Sequence, residues 1–215
     1  PMGKIAAAVL LISSLVAPAA AAEGPFMVRV RGVYISTANQ SDAIPALGIT
    51  DKDVILVSEK LIPEVDISYF FTPNFSAELI LTYPQKHDVK VKAGTAKLDL
   101  GTFTHLPPVL SVQWHFLPGG MVNPYVGVGI NLTLITSQSL AVPLATPLEL
   151  EISKSSVGFS GQLGLDVMVA PQWYVNADLK YVTLGVDVKV KADGTKVSHA
   201  TVNPWLLGLG VGYRF

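Results

Sequence analysis

The sequence predicts an all-β protein, namely an eight-stranded antiparallel transmembrane β-barrel with short periplasmic turns and longer extracellular loops. One indication is composition, because 50% of the residues are hydrophobic and only 14% are charged, whereas soluble domains carry about 25% charged residues. A second is that residues 23–215 contain no stretch of about 18 residues free of charges and helix breakers, which argues against membrane-spanning helices. The third is that apolar residues recur at every second position. A closed barrel of such strands satisfies every backbone polar group in lipid.

Residues 1–22 have the features of a cleavable secretory signal peptide. Lys4 precedes an apolar run from Ile5 to Ile12, and the segment ends in three alanines, 20–22. A basic residue, a short apolar core and small residues at a cleavage site are typical of such a leader. We therefore expect residues 1–22 to be removed and residues 23–215 to form the barrel in a bacterial outer membrane.

Eight segments show the alternation of apolar residues with small or polar ones. They are 26–35, 61–71, 75–83, 110–116, 126–134, 157–169, 173–181 and 205–215. A soluble β-sandwich also alternates, but several of these runs reach the roughly 9–11 residues of a tilted transmembrane strand, whereas soluble strands have about 5–6. Aromatic residues near the strand ends predict a girdle at one rim. These are Phe71, Phe75, Trp114, Phe116, Trp173, Tyr213 and Phe215.

The connections alternate between short and long, as in outer-membrane barrels. Short connections are expected at 72–74, 117–123 and 170–172, and long ones at 36–58, 84–104, 135–154 and 184–200. Two long links carry the string Asp-Val-Lys-Val-Lys, which predicts strand extensions above the membrane with lysines facing water. Contact of these lysines with lipopolysaccharide phosphates is the alternative. The apolar parity flips between Tyr181 and Leu184, which suggests a β-bulge.

The opposite parity predicts a polar interior. Its candidate residues are Arg29, Arg31, Glu64, Asp66, Glu78, Gln113, His115, Asn131, Gln162, Asp166, Asp178 and Lys180. Eight strands leave an interior just wide enough for side chains to fill, and buried charges are costly unless they are paired. We therefore expect a packed plug of ion pairs and hydrogen bonds instead of an open ion pore.

Nearer the long-loop end, the inward positions become less charged. The candidate residues for a vestibule and lateral exit are Ile80, Thr82, His105, Leu106, Pro107, Pro108, Val109, Thr133 and Ile135. The long links also contain apolar stretches at 43–47 and 140–144. We expect an apolar vestibule above a polar floor, with lateral exit of a solute near the two prolines, which remove two ladder donors and weaken strand pairing. Alternatively, the prolines simply begin an ordinary strand.

Enzymatic, cofactor-dependent and nucleic-acid functions find no support in the sequence. Cysteine is absent, so this chain has no disulfide, thiolate nucleophile or cysteine-ligated metal. The net charge of −1 offers no basic surface for nucleic acid. His87, His105 and His199 are expected to cluster at the loop end, but no Gly-x-Ser-x-Gly or His-x-x-x-His motif accompanies them. We expect no catalytic, metal-binding or cofactor-binding residues, and no cofactor.

Several segments resemble the OmpW family of outer-membrane proteins. They are GTFTHLPP at 101–108, QWHF at 113–116, NPYVGVGIN at 123–131, NPW at 203–205 and GVGYRF at 210–215. Leu132 stands where the family usually has a tyrosine. The resemblance implies an eight-stranded barrel with a narrow hydrophobic channel for small apolar molecules; the family includes an alkane-import branch and some bacteriocin receptors. Terminal Phe215 is similar to the signal that the barrel assembly machinery reads in outer-membrane proteins generally.

The expected function is a narrow passive channel for small hydrophobic molecules with lateral release into the membrane. The expected partners are outer-membrane lipid and lipopolysaccharide, the barrel assembly machinery during biogenesis, and small hydrophobic solutes. The alternative is a closed structural or receptor barrel whose extracellular loops bind partners.

Overall fold

The computed structural model describes residues 24–37, 40–43, 51–52, 54–93, 96–143 and 147–215. These ranges contain fifteen β-strands and no helix long and apolar enough to cross a membrane. The expected signal peptide at 1–22 lies outside the described residues, as do 44–47 of one apolar loop stretch and Leu144 of the other.

The strands vary in length from two residues to twenty-one. In chain order they are β1 (Phe26–Ser36), β2 (Gln40–Ser41), β3 (Ile55–Val57), β4 (Lys60–Phe70), β5 (Phe75–Leu81), β6 (Gln85–Ala93), β7 (Ala96–Leu106), β8 (Val109–His115), β9 (Val122–Val142), β10 (Leu148–Ile152), β11 (Ser155–Ala170), β12 (Trp173–Val182), β13 (Gly185–Val190), β14 (Lys196–Thr201) and β15 (Trp205–Arg214).

Eight of these strands form a closed antiparallel ring in the order β1, β4, β5, β8, β9, β11, β12 and β15. The ring closes where β15 pairs with β1. Beside that seam, the backbones of Phe26 and Phe215 exchange hydrogen bonds at 3.2 and 2.9 Å. The ring therefore has no free edge, as a lipid environment demands. The predicted eight-stranded barrel is confirmed.

An aromatic girdle lines much of the rim at which the described chain begins and ends. Ring centroids of successive residues lie 5.0 to 6.2 Å apart along the series Phe75, Phe71, Tyr69, Phe26, Phe215, Tyr213 and Trp173. Such spacings are favourable for aromatic pairs. At the other rim, Tyr181 and Trp205 lie 4.8 Å apart by the same measure. The outer surface between the rims is apolar and exposed, so it is the surface that faces lipid.

A second set of strands continues the barrel beyond the rim opposite the termini, and we call it the extension. Its order is β3, β6, β7, the end of β9, β10, β13, β14 and β2. Ser41 Oγ of β2 joins the two ends by accepting hydrogen bonds from the backbone N–H groups of Val54 and Ile55, each at 3.1 Å. Much of each predicted long loop is therefore paired strand. The strand extension predicted for the Asp-Val-Lys-Val-Lys strings is confirmed in β6 and β13.

The interior changes from polar to apolar where the barrel meets the extension. Even-numbered residues from Lys180 to Val188 are all buried, so the inward parity is unbroken across the joint between β12 and β13. The prediction of a bulge between Tyr181 and Leu184 is wrong. The side chains keep their direction there, and it is the interior that changes from polar to apolar. The register irregularity of β13 lies instead between Val188 and Lys189.

The core of the extension is largely apolar. Its buried members are Val54, Ile55, Val57, Val89, Val91, Leu100, Phe103, Leu140, Val142, Leu150, Ile152, Leu184, Val186, Val188, Ala200 and Val202. On the outside of β6, Lys90 and Lys92 are exposed to solvent. The extension is thus built like a soluble β-barrel, with its apolar side chains inside and its lysines in water.

Candidate functional site

Two buried arginines occupy the centre of the barrel. Arg29 and Arg31 are two residues apart on β1, so both side chains point inward. The Nε and Nη2 atoms of Arg29 donate to the two carboxylate oxygens of Asp166 at 3.1 and 2.7 Å. Its Nη1 donates to Asp66 Oδ1 at 3.0 Å and to Ser68 Oγ at 2.8 Å. The bidentate pair with Asp166 fixes the guanidinium plane.

Arg31 is surrounded by carboxylates. Its Nη2 lies 2.6 Å from Asp66 Oδ2 and 3.2 Å from Glu78 Oε2, and its Nε lies 3.1 Å from Glu64 Oε1. Lys180 supplies a further positive charge, with its Nζ 3.9 Å from Glu78 Oε1. Because buried charges are tolerated only when they are paired and hydrogen-bonded, these contacts account for a charged centre inside a membrane protein. We call these ion-paired residues, together with the buried polar side chains that contact them, the plug.

The structure places all twelve predicted lumen residues inside the barrel, each buried. Most belong to the plug. Gln113 and His115 instead contact Ser76 nearer the aromatic girdle, where Ser76 Oγ donates to Gln113 Oε1 at 3.1 Å. Asn131 lies on the other side, nearer the extension, and donates to Thr133 Oγ1 at 3.2 Å. Any role of these residues in passage of a solute stays a prediction.

Tyr125 is a plug residue that the sequence reasoning missed. Its hydroxyl donates to Asp178 Oδ2 at 2.9 Å and accepts from Asn176 Nδ2 at 3.1 Å. The central guanidinium carbon of Arg29 lies 5.6 Å from the centroid of the ring. A signal was available, because Tyr125 shares the inward parity of Asn131 on the same strand.

A glycine makes room for the ring of Tyr125. Gly164 of β11 faces Tyr125 of β9 across the strand pair. A β-carbon at position 164 would lie only 2.0 Å from the ring atom Cζ, and 2.2 Å from the hydroxyl oxygen. A side chain at this position is therefore incompatible with the present place of Tyr125 in the plug.

Two small cavities lie in series between the plug and the far end of the extension. The upper cavity measures about 50 Å³ and is lined entirely by apolar side chains of the extension, among them Leu100, Leu140 and Ile152. The lower cavity measures about 60 Å³ and reaches down to Glu64 and Lys180 at the edge of the plug. Val57, Phe103 and Val202 line both cavities, so the two are neighbours.

The residues predicted for a vestibule and lateral exit divide into three groups. Those that line the lower cavity are Ile80, Thr82, His105, Pro107, Val109 and Thr133. Pro108 lines a groove on the outer surface. Leu106 and Ile135 line neither of the two cavities, and Ile135 packs against the apolar core of the extension.

The outer groove lies beside the break between β7 and β8, where residues 107 and 108 leave the strand ladder. It measures about 400 Å³ and includes Leu110 and Val157 among its lipid-facing side chains. Val109 and Asn131, which are paired across β8 and β9, line both this groove and the lower cavity. These two residues are therefore shared by the inner and outer walls at this point of the barrel.

Two histidines face each other in the lower cavity. The ring centroids of His87 and His105 lie 5.0 Å apart, and Phe103 lies 5.6 Å from each. Burial lowers the pKa of His87, and it lowers the pKa of His105 to about 4. The expected cluster of three histidines is wrong for His199, which lies on the outside of the extension with its Nδ1 2.7 Å from Asp187 Oδ1.

A closed antiparallel ring with a lipid-facing apolar surface, an aromatic girdle and a charged interior defines an outer-membrane β-barrel. The comparison with protein families gives the particular kind. Residues 22–215 match the OmpW family, and the chain belongs to this family. It is accordingly a protein of the bacterial outer membrane.

Relatives of known name and structure agree with that assignment. The chain is 40% identical over 218 residues to the outer-membrane protein y4mB of Sinorhizobium fredii, covering 98% of this chain and 90% of that protein. It is 28% identical over 199 residues to outer membrane protein W of Vibrio cholerae, covering 90% and 89% respectively. The crystal structure of OprG from Pseudomonas aeruginosa superposes with a TM-score of 0.76 at 24% identity, covering 90% of this chain and 97% of that one. This last likeness concerns the fold.

Proposed function

We propose that the protein is a narrow passive channel that takes small hydrophobic molecules from the outside and releases them sideways into the membrane, without catalysis. The observation that carries the proposal is the wall shared by the lower cavity and the lipid-facing groove at Val109 and Asn131. A solute in the lower cavity is separated from lipid by these side chains and by one seam between strands.

The direction of release follows from what lies below the cavity. The plug carries Arg29, Arg31 and their carboxylates with almost no exposed surface. An apolar solute that entered it would have to break contacts between buried charges, which is costly. Passage through the seam costs less, because Pro108, whose carbonyl accepts from Leu132 of β9, supplies no N–H donor in return.

The seam itself keeps some hydrogen bonding. The backbone N–H of Leu132 donates to the carbonyl of Pro108 at 3.1 Å. Below this bond the ladder between β8 and β9 runs regularly from Val109 to His115. Opening would therefore be local, confined to the residues around the prolines.

A reversible cross-link tests the lateral route. The chain has no cysteine, so Val109→Cys with Asn131→Cys introduces one specific pair. The two positions oppose each other on antiparallel strands, where Cα atoms lie about 4.5–5.5 Å apart, within the range of disulfides. Uptake of radiolabelled n-decane by cells producing the protein should fall on oxidation and recover on reduction.

The matched control places the cross-link at another seam. Leu163→Cys with Leu179→Cys opposes two positions of β11 and β12 whose side chains face lipid. Oxidation of this pair should leave uptake unchanged. Equal uptake by oxidised and reduced Val109 and Asn131 variants would exclude lateral exit, and no uptake above that of cells lacking the protein would favour the closed structural or receptor barrel.

The other expected partners, lipopolysaccharide and the barrel assembly machinery, are also proposals. Contact with lipopolysaccharide phosphates is proposed for Lys90 and Lys92 of the extension, because both side chains are positively charged and exposed. Insertion of the barrel would engage the barrel assembly machinery through its closing strand β15.

A further inference from the structure

We propose that the lower cavity holds a binding site for the hydroxyl group of a neutral aliphatic alcohol, formed by His87 and His105. The inference rests on the proposed channel and names the class of solute that its inner site takes. The hydroxyl lies between the two imidazoles, and the alkyl chain extends into the apolar cavity above.

Two ring nitrogens in this cavity have no protein partner among the described residues. They are His87 Nε2 and His105 Nδ1, on side chains that are 2% and 8% exposed. Leaving a buried polar atom without a hydrogen-bond partner is unfavourable, so such atoms in a ligand-sized space point to a ligand. The cavity, at about 60 Å³, also exceeds the roughly 10–15 Å³ that a single water requires.

The contacts of His87 decide which kind of group it can bind. Its Nδ1 lies 3.0 Å from the backbone carbonyl oxygen of Ser58. A carbonyl oxygen only accepts, so Nδ1 carries the hydrogen, and in the neutral ring Nε2 is left as an acceptor. A partner at Nε2 must therefore donate a hydrogen bond.

His105 completes the site. Neutral imidazole has one donor and one acceptor nitrogen. Among the described residues, no side-chain hydrogen bond determines whether His105 Nδ1 is the donor or the acceptor. It can thus donate to an oxygen whose own hydrogen is directed at His87. The ring centroids lie 5.0 Å apart, which is within the about 5.6 Å that one oxygen spans when it lies about 2.8 Å from each of two nitrogens. The proposed hydroxyl oxygen occupies this bridging position.

A hydroxyl is the small neutral group that donates and accepts at one oxygen. A ketone can only accept and leaves His87 Nε2 unsatisfied, whereas an alkane satisfies neither nitrogen. A carboxylate also only accepts, and it would bring a charge into a cavity lined largely by apolar residues such as Ile80 and Val182.

The apolar part of the ligand has a defined place. Phe103 lies beside both imidazoles and also lines the upper cavity. Val57 and Val202 likewise border both spaces. A chain attached to the bound hydroxyl would therefore follow these side chains upward into the fully apolar cavity.

The test compares three ten-carbon probes on the full-length mature barrel in phosphatidylcholine nanodiscs. With histidines labelled with nitrogen-15, addition of 1-decanol should shift the ring-nitrogen signals of His87 and His105. At equal concentration in the lipid, 1-decanol should bind about tenfold more tightly than n-decane, as expected for two added hydrogen bonds of modest net strength. It should also bind more tightly than 2-decanone, which can accept from His105 but makes no hydrogen bond to His87.

Histidine variants test whether the preference for the alcohol depends on His87 and His105. His87→Phe and His105→Phe keep an aromatic ring and should each abolish the preference for the alcohol. His199→Asn, at the exposed histidine, should keep it. The ligand series on the unaltered protein stays decisive if a phenylalanine variant fails to fold.

Several results would overturn the site. One is equal binding of the three probes. Another is a preference that survives in both phenylalanine variants. The third is the absence of imidazole shifts with 1-decanol, which would mean that water alone serves these nitrogens. Failure of the site is distinguishable from failure of the channel, because n-decane uptake would persist in the first case and be absent in the second.

Discussion

At the centre of the barrel, Asp66 Oδ2 lies 2.6 Å from Arg31 Nη2, and neither side chain has any exposed surface. The other oxygen of the same carboxylate lies 3.0 Å from Arg29 Nη1. Asp66 therefore joins the two arginines, and its removal would leave two guanidinium groups short of a partner.

Asp66→Asn should destabilise the barrel by about 3 kcal/mol, the cost of breaking a buried ion pair. Asparagine keeps the size but not the charge of the carboxylate. Urea unfolding in lipid bilayers, followed by tryptophan fluorescence, measures the change. Glu149→Gln is the matched control, because its partner Lys191 is exposed on the extension and such pairs contribute little. Equal stability of both variants would contradict the role of Asp66 as a bridge.

Gly164→Val should displace Tyr125 and lower the stability of the barrel by several kcal/mol, about the upper range for overpacking a core. The reason is the 2.0 Å approach between a β-carbon at this position and the Tyr125 ring. Gly161→Val on the same strand is the control, because a β-carbon there meets nothing within 4 Å. The unfolding midpoints of the two variants in the same bilayer give the comparison, and similar losses would show that crowding of Tyr125 is not the cause.

Stability should fall on acidification through His105. Burial first, then the neighbouring His87 and Lys60, lower the pKa of His105 to about 4, whereas an unfolded histidine titrates near 6.5. Between these values the unfolded chain takes up a proton that the folded protein refuses. The stabilisation is therefore complete above about pH 6.5, and about 3 kcal/mol is lost as the pH falls towards 4.

The contribution of His105 is the difference between the unaltered protein and His105→Phe in how the free energy of unfolding changes with pH. Denaturant unfolding from pH 7.5 to 4 should show a shallower loss of stability for the variant than for the unaltered protein. Parallel curves for the unaltered protein and His105→Phe would disprove the assignment.

Trp173 and Trp205 should report two interfacial heights. Trp173 belongs to the aromatic girdle, and Trp205 lies at the opposite rim beside Tyr181. In variants that keep one tryptophan, lipids brominated near the headgroup should quench both more strongly than lipids brominated near the chain end, because aromatic belts lie at the interfaces. Strongest quenching of either residue from the bilayer centre would contradict this position.

The membrane part of the fold could be predicted because each of its strands touches two different environments. Alternation places Arg29, Asp66 and Asp166 inside and Leu79 outside without knowledge of any partner strand. Pairing of the charges followed from the requirement that buried charges be compensated. The sequence did not single out Tyr125, although its parity was available.

The extension could not be predicted to the same depth. Its closure depends on Ser41 meeting Val54 and Ile55, contacts whose register no local pattern encodes. The same is true of His87 and His105, which come together because Gln85 of β6 pairs with His105 of β7. Taken alone, each histidine of a long link is as compatible with solvent as with a cavity, and His199 does lie on the outer surface.

From Lys180 on β12 to Val188 on β13, every second side chain points inward without interruption. The number of residues at this joint therefore fixes which side chains face lipid or water and which face the interior. One inserted residue after Thr183 would rotate everything beyond it by half a turn. Val186 and Val188 would then face water while Lys189 would be driven among the apolar side chains. Insertions or deletions at this point should survive only in steps of two residues, so the joint between membrane and extension is a place where evolution can lengthen the protein only by even increments.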